Sequence, residues 1–372
     1  MTAAAATAME PVTVRNGADG GVALDGWTPL RLAWREGMPL VDWCRLGDVA
    51  FTDPFFEQTI GRALRHPARL LFRRETSMER LEAVAHERPG VKPAGFIFHE
   101  SRCGSTLVAQ MLAAHLDSIV LAEAPPIDQV LRAHRRDGSI SRAQRIGWLR
   151  AMISALGQTR RGGERRLFVK FDSWHALELP LIVGAFPDVP WVFLYRDPVE
   201  VLVSHQRQRG SQMIPGALDL RAFGVSGWGD TQMSLDAYCA RVLSVICQAA
   251  VNHAALGRGR LVNFSELPQA VWDETSPLFG IEWTPEELER MCGAARRNSK
   301  DPSRPHTDDR QEKQREASVE LRRLADEWVA PSYAQLEALR LAQAGGTAAA
   351  ASAESASSRS RSQSFTTQSI TR

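Results

Sequence analysis

Five short runs of apolar, mostly β-branched or aromatic residues punctuate the chain: GFIF at 95–98, SIVL at 118–121, LFVK at 167–170, WVFLY at 191–195 and LVNF at 261–264. None alternates with polar positions, as a strand with one wet face does, so each predicts a strand covered on both faces. Helix signals lie between them. Asp53-Pro54 precedes FFEQTIGRAL, Ser141 is followed by Gln144, and Ser234 opens a long segment to about Leu256. Thr284-Pro285-Glu286-Glu287 combines an N-cap, a first-turn proline and a capping-box glutamate. Strands alternating with helices predict an α/β protein with three layers, α/β/α, around a mostly parallel sheet. That unit spans 92–342, and residues 21–91 read as a mainly helical segment before it. Residues 1–20 and the Ala/Ser/Thr-rich stretch 343–372 hold too few large apolar side chains to offset the entropy of ordering. They read as a loose N-terminus and a disordered low-complexity tail.

Charge narrows the function. Lys and Arg number 45 and Asp and Glu 43, a net +2, so no polyanion surface exists to drive nucleic-acid binding, and anion recognition must be local. The five cysteines are scattered without a CxxC pair, which argues against a disulfide framework or structural metal and for a reducing, cytoplasmic setting. No apolar run reaches the roughly 18–20 residues that span a bilayer.

One such local site follows the first strand. GFIF runs into His99-Glu100-Ser101-Arg102-Cys103-Gly104-Ser105-Thr106 and then LVAQMLAAH. Strand, small-residue turn and helix aim backbone N–H groups and the positive helix end at one point, where a phosphate or sulfate fits. Gly104 lets the backbone approach, Ser105 and Thr106 add hydroxyls, and Arg102 adds charge. The GxxxxGK[ST] loop of ATP- and GTP-hydrolysing proteins is absent, since Gly104 directly precedes Ser105 and the loop has no lysine. A second cluster follows WVFLY: Arg196 at the strand end and, beyond the helix start Asp197-Pro198, Ser204. Open α/β sheets bind ligands at that edge.

These residues resemble the sulfotransferases that use 3′-phosphoadenosine 5′-phosphosulfate (PAPS), over about 92–340. SRCGSTLVAQML is similar to their 5′-phosphosulfate loop, and RDPVEVLVS to their 3′-phosphate motif. The resemblance implies a P-loop-NTPase-like sulfotransferase fold and a PAPS co-substrate without metal. Arg102, Cys103, Gly104, Ser105 and Thr106 would lie at its 5′ end, and Arg196 and Ser204 at its 3′-phosphate. AAHLDSIVLAEAPPIDQVL is similar to the tyrosylprotein branch, which implies Glu123 as the catalytic base. Lys170, a lone cation ending an apolar strand, suits the leaving oxygen, and the resemblance agrees to within one residue. Asp172 and His175 are alternative bases, His99 reads as structural, and Ser299 with Lys300 is similar to a late cofactor loop. An ATP-dependent small-molecule kinase and a non-enzymatic nucleotide-binding module are the competing readings. The acceptor, whether peptide, carbohydrate, lipid or small metabolite, has no readable motif.

Overall fold

The computed structural model describes residues 23–217, 233–300, 303 and 308–345, with the backbone of 13–14. Apart from the backbone of 13–14, the expected loose N-terminus at 1–20 lies outside the described residues, as does nearly all of the tail at 343–372.

Strands are numbered along the chain. β1 (Thr13–Val14), β2 (Trp27–Arg35), β3 (Met38–Arg45) and β4 (Arg73–Ser77) form one sheet in the order β1-β4-β3-β2. β5 (Pro93–His99), β6 (Ser118–Ala122), β7 (Arg166–Lys170), β8 (Trp191–Tyr195) and β9 (Gly259–Asn263) form a second sheet, all parallel, in the order β6-β7-β5-β8-β9. The five apolar runs supply these strands because helices bury both faces. Phe96, Phe98, Leu167, Val169 and Phe193 enter one core with helices Arg142–Leu156 and Leu235–His253. Ile97, Phe168, Val192 and Leu194 enter the other, with helices Ser105–Ala113 and Pro285–Ala295. Adjacent residues of one strand thus serve opposite cores, as the two-residue period of a strand requires.

The capping signals at Ser141, Ser234 and Thr284 start helices as expected. At Asp53 the helix instead begins at Phe56, and the carboxylate accepts from Thr59 at 2.6 Å and Arg62 at 2.7 Å.

The expectation that 21–91 is mainly helical is corrected: three antiparallel strands share the segment with its helices. Leu30 and Leu32 are buried around exposed Arg31, and Glu36-Gly37 closes a two-residue hairpin with φ of 51° and 81°. Positive φ at both positions matches the twist of an antiparallel pair. The sheet meets the other unit where the Leu32 amide donates to Gln129 at 2.6 Å, on helix Pro125–Leu131. Phe55 and Glu57 are thereby brought to the site described below.

A Cβ on Gly37 meets nothing within 4 Å, so Gly37→Ala has only a backbone cost. Urea unfolding should show a loss of about 1 kcal/mol. No loss would contradict the left-handed turn.

Candidate active site

The chain reverses its direction of growth across the sheet beside β5, and ligands bind at the carboxyl ends of strands at such a point. Four sequence-predicted groups converge there: the loop after β5, Glu123 after β6, Lys170 ending β7 and Arg196 after β8.

The loop is conformationally unusual. Ser101, Arg102 and Gly104 have φ of 93°, 56° and 84°, a succession of left-handed residues that turns backbone N–H groups inward. A Cβ at Gly104 would lie 2.8 Å from both Leu267 and Phe264, so only glycine fits. Ser105 and Thr106 form the first turn of the following helix, whose leading N–H groups have no partner within the helix. The Cys103 side chain turns into the core and donates to the Leu194 carbonyl at 3.1 Å. Burial pushes its thiol up to about 12, so what Cys103 can offer an anion is its backbone.

His99 anchors this loop. Its Nδ1 accepts the Ser101 amide at 3.1 Å, so Nε2 carries the proton, 3.0 Å from the Phe171 carbonyl and 3.4 Å from Glu123 Oε1. Burial lowers its pKa to about 4, and it is neutral and structural, as expected. Glu123, at φ 53°, accepts from Lys170, whose side chain is fully buried. Burial alone would raise the Glu123 pKa, but Lys170 and His99 hold it well below the usual carboxylate range. In this pairing Glu123 is a weak base.

Two cavities adjoin. One of about 400 Å³ has Phe55, Glu57, Glu123, Asp172 and Trp174 in its wall, and one of about 180 Å³ is lined by Gly104, Arg196, Ser204, Phe264, Asp309 and Lys313. Arg102, Ser105, Thr106 and Lys300 line both. In the smaller cavity Arg196 lies over the Phe264 ring at 3.8 Å and pairs with Glu200 at 2.6 Å and Asp309 at 2.8 Å. Lys313, which the sequence reading missed, holds the other Asp309 oxygen at 2.7 Å. Asp309 thus places a carboxylate between two buried cations. Ser204 donates to the Glu200 carbonyl at 2.7 Å and must rotate to donate to a ligand. Ser299 lines the smaller cavity, Lys300 stands exposed at the shared rim, and Arg296 and Arg297 point to solvent.

His175 is removed from the candidate bases. Its Nδ1 accepts the Asp172 amide at 3.2 Å and its Nε2 lies 2.9 Å from Asp128 Oδ1, so both nitrogens are engaged in the interior. Asp128 also accepts from Trp174 at 2.8 Å and from Arg132. Asp128, Asp172 and His175 place three potential metal-ligating atoms within 4.8 Å, but the imidazole is already committed to hydrogen bonds. All five cysteines are free thiols. No helix among the described residues is long and apolar enough to cross a membrane.

A glycine-bearing loop and strand-end cations thus share one crevice at the carboxyl edge of the parallel sheet. Residues 95–249 match the model of a sulfotransferase family. The match does not single out the tyrosylprotein branch. No curated protein sequence matches the chain. Similar solved structures include a sulfotransferase domain from the curacin biosynthetic pathway, at 18% identity over 64% of this chain and 97% of that one, TM-score 0.38. A sulfotransferase from Alicyclobacillus acidocaldarius is similar at 15% identity over 67% and 96%, TM-score 0.39. Retinol dehydratase, crystallised with androsterone and the inactive cofactor PAP, is similar at 14% identity over 68% and 84%, TM-score 0.35.

Glu100 beneath the loop was also missed by the sequence reading. It is fully buried and accepts from the Arg196 amide and from Cys247 Sγ, 3.1 Å away. Burial outweighs these bonds and raises its pKa from 4.5 to about 8. The stabilisation from its neutral form is therefore complete below 4.5 and lost as pH rises through about 8. Glu100→Gln cannot ionise, so melting temperatures between about pH 5 and 9 should fall more steeply in the wild type than in the variant. Parallel curves would contradict the assignment.

Proposed function

We propose that the chain transfers a sulfuryl group from PAPS to an acceptor hydroxyl or amine. The observation that carries this reading is the pair of cation clusters, around Arg102 and around Arg196 with Lys313, in one crevice at the strand ends. The residues fit a nucleotide with phosphate at both ends. The Gly104 cradle excludes even a methyl group, and burial together with Arg196 lowers the Arg102 pKa, a strain on the cation that a bound anion relieves.

Bound PAPS supplies a sulfuryl group on a phosphate leaving group, whose bridging oxygen gains negative charge as the bond breaks. The loop N–H groups, Ser105, Thr106 and Arg102 hold the 5′ end. Arg196, Lys313 and the rotated Ser204 hold the 3′-phosphate, which takes the place of the Asp309 carboxylate. Lys170 turns from Glu123 to the bridging oxygen, where a preorganised cation stabilises developing charge. Its departure changes Glu123. Without the ammonium, burial raises the carboxylate pKa and makes Glu123 a competent acceptor for the incoming proton. His99 Nε2–H keeps the carboxylate oriented throughout. No step calls on a metal, and no lysine in the loop manages a nucleoside triphosphate, so the kinase reading has no observation in its favour.

Calorimetric titration with adenosine 3′,5′-bisphosphate (PAP) tests the donor site, and transfer of radiolabelled sulfur from PAPS, with and without chelator, tests the reaction. Arg196→Ala should weaken PAP binding by about tenfold or more, the worth of a charge-assisted bond. Chelator should leave transfer intact. No PAP binding, or equal binding without Arg196, overturns the donor assignment.

A further inference from the structure

The crevice is polarised. Its 180 Å³ end carries Arg102, Arg196, Lys300 and Lys313 against one carboxylate, Asp309, among the described lining residues. In the 400 Å³ end, the described lining residues not shared with the donor side include Glu57, Glu123, Asp128 and Asp172, and no Lys or Arg.

These carboxylates are not equivalent. Glu123 is paired with Lys170, and Asp128 is occupied by Trp174, His175 and Arg132. Asp172 has no cationic partner among the described residues; its carboxylate caps the turn Ser173–Glu178 by accepting from the His175 amide. Its side chain is only 13% exposed, and its nearest charged-group contact is His175 Nδ1 at 3.8 Å, a nitrogen that already accepts the Asp172 amide. Among the described residues neither Asp172 nor the exposed Glu57 is paired with Lys or Arg. A carboxylate withdrawn from water without a counter-ion is costly, and a cationic ligand is what would offset it. Burial first, and then Glu123 and Asp128, raise the Asp172 pKa to about 7 against the opposing pull of His175 and Lys170.

Aromatic walls complete the site. The Trp174 indole is held in place by its bond to Asp128, and Phe55 lines the same cavity with its ring 5.4 Å from Lys170 Nζ. Aromatic faces beside carboxylates attract ammonium groups. A cavity of about 400 Å³ suits a small molecule.

Resting on the donor reading above, we propose that the acceptor is a small hydroxylated ammonium compound, its cation held by Asp172 beside Trp174, with Glu57 at the rim. The ammonium is the anchor and not the nucleophile, because its nitrogen has no free lone pair. The acceptor hydroxyl oxygen forms the new bond to sulfur, its proton passes to Glu123, and the electron pair of the broken sulfur–oxygen bond leaves with the bridging oxygen of PAP.

The test uses two acceptor series of matched skeleton and different charge: glucosamine, glucose and glucuronate; and tyramine, 4-ethylphenol and 4-hydroxyphenylacetate. Each is titrated into the PAP-loaded full chain by calorimetry and assayed for sulfuryl transfer from PAPS. In at least one series the ammonium member should exceed the neutral one by about tenfold or more in affinity and in kcat/KM, with the anionic member weakest. Asp172→Asn should shrink that ratio. The wild-type series decides the matter if the variant does not fold. Equal or better binding of the neutral or anionic members, or binding by no member of either series, overturns the inference. Failure of PAP to bind would strike the donor reading instead, and the same titrations on the free protein would still read the charge preference.

Discussion

Cations crowded at the carboxyl ends of a parallel sheet are the constraint around which this molecule is arranged. Arg196 and Lys313 are almost wholly buried, Lys170 is entirely so, and Arg102 faces the same crevice. Positive charge withdrawn from water must be compensated, and the fold compensates it with carboxylates brought from distant parts of the chain. Asp309 reaches Arg196 across 113 residues of sequence, and Glu123 reaches Lys170 across 47. In the proposed function Asp309 stands where the 3′-phosphate would go. Under the proposed mechanism a bound phosphate displaces Asp309 from Arg196 and Lys313, and Lys170 exchanges Glu123 for the leaving oxygen.

The exchange links binding to chemistry. Lys170 serves two roles in turn: it holds Glu123 ionised and inactive, and under the proposed mechanism it then moves to the leaving oxygen. Under that mechanism Glu123 becomes basic only when the ammonium has somewhere else to go. His99 is the fixed element between loop and base, one nitrogen holding the Ser101 amide and the other pointing toward Glu123.

What could be read from sequence follows from how local its causes are. The five strands were legible because helices cover both faces, which leaves uninterrupted apolar runs such as Trp191–Tyr195 with every residue buried. The helix starts at Ser141 and Thr284 were legible because capping is a contact within four residues. Gly104 and Arg196 stood out as small or charged residues where an apolar strand ends. The N-terminal hairpin was present in the alternation around Arg31 and in Glu36-Gly37, but tryptophans and charged residues blurred its period. Lys313, Asp309 and the lack of a Lys or Arg beside Asp172 were not legible, because only tertiary packing sets them beside the crevice. The engagement of His175 was hidden for the same reason: its partner Asp128 lies 47 residues away.

The central claim is that the Arg196 and Lys313 end of the crevice recognises a phosphate on the 3′ carbon of a nucleotide. The most direct measurement compares calorimetric affinities of the wild-type chain for PAP and for AMP, which differ only in that phosphate. PAP should bind at least about a hundredfold more tightly, as a phosphate held by two buried cations predicts. Equal affinities for the two nucleotides would contradict the account.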